Sequence, residues 1–219
     1  MKYPMLLGAL VLGIASTNAY AQSSAHQDEE FVIAYRLPES MTLEFDNQQK
    51  AREHLDAVRN LGCEVSPAGT NGHDAVTYLC PKWKSLTVAS DELAHQWEEW
   101  LTAAGFTTLH GHEAEHEAGH TEEHGHDHDE NKHGEEHEEV MFRLSNWATL
   151  QPEPELDSQE LLAIAKGLGC EVQEPQQTGQ PGIQIRCVDW KHLELSTHED
   201  AEYWQQWLTK AGFEANHED

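Results

Sequence analysis

Basic side chains are scarce in this chain: 13 lysines and arginines face 40 aspartates and glutamates, a formal net charge of −27 over 219 residues. Such a surface repels polyanions, so nucleic acid and anionic membranes are excluded as partners, while cations and basic proteins are favoured. Long apolar runs are also missing. The run from Met5 to Ile14 is too short for the roughly 18 to 20 apolar residues that span a bilayer, and no other segment comes closer. Cysteine is limited to four residues, none in a C-x-x-C pair, which argues against a short-spaced thiolate zinc site or a redox motif. A phosphate-binding glycine loop and an evident nucleophile–base pair are lacking as well, so a non-enzymatic protein is expected.

The chain opens MKYPMLLGALVLGIASTNAYAQ, with one basic residue, the short apolar run and Ala19-Tyr20-Ala21 as a small-x-small cleavage site. Residues 1–21 read as a secretory signal peptide, residues 22–30 as a flexible start, and the expected destination is the periplasm or beyond, with no transmembrane segment after cleavage.

Sliding the sequence by 107 residues lays LGCEV at Leu61 to Val65 on LGCEV at Leu168 to Val172. Residues 31–106 then match residues 138–213 without a gap, with 25 identities in 76 positions, among them Arg36/Arg143, Trp83/Trp190, Lys84/Lys191, Trp97/Trp204 and Trp100/Trp207. The pattern predicts a tandem duplication, with one repeat over 31–109, a second over 140–216 and a tail at 217–219. The tryptophans lie on apolar stripes and are expected in the cores. Arg36/Arg143 and Lys84/Lys191 are expected to snorkel or to form ion pairs.

Each repeat reads as α+β. Alternation over Phe31 to Leu37 predicts a strand, and Ala51, Leu55, Val58 and Leu61 a helix capped by Asp46 and stopped at Gly62. Strands follow at Cys63 to Val65 and over Val76 to Val88. A second helix carries Leu93, Trp97, Trp100 and Leu101 from a Ser90 cap to Gly105, and a last short strand ends the unit. The order βαββαβ suits a ferredoxin-like fold, two helices layered on an antiparallel sheet.

A two-residue turn at Asn71-Gly72 places residues whose numbers sum to 143 opposite one another, which pairs Val65 with Tyr78 and Cys63 with Cys80. Thr178-Gly179 does the same for Val172/Ile185 and Cys170/Cys187. In an exported protein this predicts two disulfides, Cys63–Cys80 and Cys170–Cys187, each contributing about 3 kcal/mol.

Between the repeats, residues 110–139 hold nine histidines, twelve acids and one lysine, with no aromatic or branched apolar residue. This linker cannot form a core and is expected to be disordered without a ligand. His112, His116, His120, His124 and His128 recur every four residues, His133 and His137 repeat the interval, and His110 and His126 complete the set. Neutral imidazoles beside carboxylates suit Zn2+ first, then Ni2+ and Cu2+. Because ligands must be deprotonated, affinity is expected to fall below about pH 6. The stretch HEAEHEAGH from His112 to His120 contains the zinc-protease pattern H-E-x-x-H twice. Without an apolar face to bury its helix it is not read as catalytic, and the reversed pattern at His120 to His124 shows how readily this composition generates such matches. Histidines outside the tract carry less weight: His54 and His95 are replaced by Leu161 and Glu202 in the second repeat, and His26, His192, His198 and His217 are expected to be exposed.

The sequence therefore points to an exported protein that binds divalent metal, most simply zinc, for buffering or for delivery to an envelope transporter. The alternative is an interaction module whose paired domains bind a basic partner while the linker serves as a solvated spacer.

Overall fold

Asn47 and Ser90 begin two helices by accepting hydrogen bonds from the backbone N–H groups of Lys50 and Leu93, donors that a helix leaves unpaired in its first turn. The computed structural model that shows this describes residues 30–68, 74–114, 138–173 and 182–217. Asp46, the expected cap, instead pairs with Lys50 at 3.6 Å. The expected signal peptide, both expected hairpin turns and His116 to His137 lie outside the described residues.

The first half runs β1 (Phe31–Phe45), α1 (Gln48–Asn60), β2 (Glu64–Ala68), β3 (Asp74–Val88), α2 (Asp91–Ala103) and β4 (Thr107–Leu109). Its sheet is antiparallel, in the order β2-β3-β1-β4. After β5 (His112–Glu113) the second half follows with β6 (Glu138–Leu150), α3 (Ser158–Gly167), β7 (Glu171–Gln173), β8 (Ile183–Leu195), α4 (His198–Lys210) and β9 (Glu214–His217). Here β8 pairs with β6, β7 and β5, and β6 pairs with β9, all antiparallel. The molecule is thus a mixed α+β structure with two antiparallel sheets and four helices among the described residues.

Strand register agrees with the turn arithmetic: Val65 lies opposite Tyr78 and Val172 opposite Ile185. Two residues further on lie the cysteines, all four buried and free. Cys63 and Cys80 share a hydrogen bond that, with burial, pushes the Cys63 thiol up; the same bond, with Lys84 nearby, holds Cys80 down. Cys170 and Cys187 repeat this arrangement beside Lys191.

Ile33, Tyr35, Val58, Tyr78, Trp97 and Leu101 centre the first core. Alternation turns Ala34 to the opposite face of β1, where it joins Trp83 and Leu109 in the core of the second half, built on Phe142, Ile164, Leu168, Ile185 and Trp204. Helix α3 accordingly packs on β1 and β3 as well as on β7 and β8. Arg36 and Arg143 lie 4.7 Å over the Trp83 and Trp190 rings, so these two arginines form cation–π pairs.

The linker, expected to be unstructured throughout, is strand at both ends. His112 and Glu113 pair with His192 and Lys191 of β8, and Glu138 and Glu139 begin β6. Gly111 donates its N–H to the Gly167 carbonyl at 2.8 Å, tying the linker's start to the end of α3.

Candidate metal centre

Asp91 and His95 lie one turn apart on α2 and so share a helix face, with His95 Nε2 3.3 Å from Asp91 Oδ2. The pairing of β4 with β1 ends at Leu109 opposite Ala34, and the chain then turns His110 inward until it is 5% exposed. His110 Nδ1 is 3.0 Å from the Val32 carbonyl. A carbonyl only accepts, so this ring nitrogen carries the proton, and in the neutral ring the lone pair lies on Nε2. That Nε2 is 3.5 Å from Asp91 Oδ1 and is buried without a hydrogen-bond partner. A proton or a metal cation between that nitrogen and the carboxylate oxygen would satisfy both atoms. Fixing one ring nitrogen on a backbone carbonyl while the other faces inward is the arrangement that orients metal-binding histidines.

His112 closes the cluster from β5, where its strand partner is His192. Its ring stacks on His95 at 4.8 Å and stands edge-on to His110 at 4.4 Å, and His192 lies 5.2 Å away. Asp91, His95 and His112 each offer a ligand atom within 4.8 Å of the others. Burial, aided by the neighbouring imidazoles, lowers the His112 pKa to about 4. The ring is therefore neutral at physiological pH, as a ligand must be. Beside it, burial raises Glu98 to about 7 against the opposing effect of its hydrogen bond from Thr108.

A second cluster joins the first residue of β6 to α4 and β9. His217 Nε2 is 2.8 Å from Glu138 Oε2, and His198 Nδ1 is 3.6 Å from the same oxygen. His198 also faces Glu202 one turn along, at 3.6 Å. The hydrogen bond to His217, followed by that to His198, lowers the Glu138 pKa.

Several sequence expectations change here. Of the nine tract histidines, His110 and His112 are fixed by the fold and meet at one site; His116, His120, His124, His126, His128, His133 and His137 lie outside the described residues. His95, set aside because the second repeat has Glu202, belongs to the first cluster. His217 is not exposed, its side chain being 3% accessible, and His192 is 19% accessible. His112 and Glu113 sit in a strand, where neighbours point to opposite faces, so the H-E-x-x-H match does not begin on the helix that a zinc protease needs.

No family model matches the chain, and comparisons with curated proteins and with solved structures return no match. Among the described residues no helix is long and apolar enough to cross a membrane.

Proposed function

We propose that the protein binds divalent metal without catalysing a reaction, that zinc is its first ion, and that Asp91, His95, His110 and His112 hold it. The observation that carries this reading is His110 Nε2, buried without a hydrogen-bond partner and 3.5 Å from Asp91 Oδ1. Four bonds of about 2.0–2.1 Å put tetrahedral zinc ligands about 3.3 Å apart. Asp91, His95 and His112 offer ligand atoms within 4.8 Å of one another, so a bound ion would draw the cluster inward. Imidazole with carboxylate is a zinc donor set, with Ni2+ and Cu2+ the next candidates.

The tract histidines extend from this cluster and are read as a capture arm for buffering or delivery, with an envelope metal transporter as the natural recipient in an exported protein. Each half is read as a copy of a ferredoxin-like domain, supported by the βαββαβ order and the strand order β2-β3-β1-β4 of the first sheet. Its cysteine pair is expected to oxidise to Cys63–Cys80 or Cys170–Cys187 in the compartment that the signal peptide implies.

The test is zinc titration of the full chain with the seven tract histidines from His116 to His137 changed to glutamine. Submicromolar zinc binding is expected, weakened at least tenfold by His110→Gln or Asp91→Asn. Equal affinity in all three chains would remove the folded centre and leave only the tract.

A further inference from the structure

Continuing the 107-residue register four residues past the end of the matched region, at Phe106/Phe213, lays His110 on His217. The same register lays Asp91 on His198 and His95 on Glu202. Each α-helix that opens a cluster thus carries one imidazole and one carboxylate a turn apart, 3.3 Å between Asp91 and His95 and 3.6 Å between His198 and Glu202. Their order is reversed: acid then histidine in the first half, histidine then acid in the second. A helix face presents the same two donors either way, so the exchange preserves chemistry while erasing sequence identity.

Each cluster is completed by a buried histidine at the end of its last strand and by a residue beyond the helix and strand. In the first half that residue is His112, on β5. In the second it is Glu138, whose Oε2 lies within 3.6 Å of both His198 and His217, and the three offer ligand atoms within 4.8 Å of one another.

From this correspondence we infer a second metal site, formed by Glu138, His198, Glu202 and His217 and related to the first by the repeat. The inference rests on the metal-binding reading of the first cluster. In the metal-free pair a 2.8 Å hydrogen bond joins His217 Nε2 to Glu138 Oε2, and a bound ion would take its place between the two atoms. The donor sets differ, three imidazoles and one carboxylate against two of each. Carboxylates suit harder cations, so the second site holds zinc with greater tolerance for Mn2+. The sites also flank the tract, since His112 lies just before residues 115–137 and Glu138 directly after them. Each end of that stretch therefore joins a residue of a proposed site.

Equilibrium dialysis against zinc, with the bound metal counted by elemental analysis, tests this on the full chain carrying the seven glutamine substitutions. Two zinc ions per chain are expected. His110→Gln leaves one, His217→Gln leaves one, and the double variant leaves none. His217 is buried, so the half-exposed His198→Gln and Glu202→Gln pair, which leaves the β6–β9 pairing untouched, must remove the same ion. Excess Mn2+ should displace only the zinc that survives His110→Gln. If these second-half variants keep the parent's count while His110→Gln lowers it, the second site is overturned and the first stands. A parent chain that holds no zinc overturns both.

Discussion

Helices α1 and α3 occupy equivalent places in the 107-residue sequence register and live in different surroundings. Helix α1 buries Ala51, His54 and Val58 along one face, whereas α3 buries Glu160, Leu161, Ala163, Ile164, Ala165 and Gly167 around most of its circumference. The cause is position: α3 packs on strands of both sheets. The shared glutamate shows what this does to a single residue. Glu53 is exposed and accepts a hydrogen bond from Gln49. Its counterpart Glu160 is 6% exposed and accepts from the Trp83 backbone N–H of the first half and from its own N-cap, Asp157. Identity across the 107-residue register therefore does not mean equivalence, because two matched segments in different surroundings must differ where they touch.

The largest expected effect comes from breaking that contact. A Cβ at Gly167 would lie 2.5 Å from Ala34 Cβ and 2.9 Å from the Leu109 carbonyl oxygen, and backbone cannot yield as a flexible side-chain tip can. Gly167→Val is expected to lose about 3 kcal/mol of stability by overpacking, while Asn60→Val at the exposed equivalent position stays within about 0.5 kcal/mol. Urea denaturation of the two variants measures this, and comparable losses would contradict the packing of α3 across both halves. Next in size, Glu160→Ala leaves two backbone N–H groups without their acceptor and should cost about 2 kcal/mol. Glu53→Ala should be near neutral. Equal midpoints for this pair would mean that the Glu160 hydrogen bonds contribute nothing net.

Strand register was readable because alternation and turn length specify it together: Val65/Tyr78 and Val172/Ile185 follow from counting residues outward from the turns. The N-cap missed by one because Asp46 and Asn47 cap equally well and only backbone geometry separates them. Contact between the halves left no pattern to read, since Ala34, Gly111 and Gly167 act through smallness. The two candidate metal clusters were half legible. His110 and His112 stood out within a histidine-rich tract. His95, His198 and His217 did not, because they come from different elements and the repeat exchanges histidine for acid. Two signals were nonetheless present: the His110/His217 match, just beyond the aligned region, and the preserved four-residue spacing of the exchanged pair.

The smallest expected effect separates the first helices through protons. His54 is buried between the rings of Phe45, Tyr78 and Trp100, and its Nε2 has no hydrogen-bond partner. Burial alone lowers its pKa to about 4, while Leu161 at the equivalent position of α3 has no proton to bind. In the unfolded chain His54 titrates near 6.5, so between about pH 6.5 and 4 the unfolded state binds the extra proton and stability falls as the medium acidifies. Above that window the residue is neutral in both states and has no such effect. Moving from pH 7 to 5.5 should cost about 1 kcal/mol through this residue. His54→Leu should remove that part of the pH dependence. The measurement is the difference in unfolding free energy between the two pH values, compared in parent and variant so that unchanged groups cancel. Parallel losses in both would mean that His54 is protonated in the folded protein, and that a charged imidazole is tolerated among three aromatic rings where the second half has leucine.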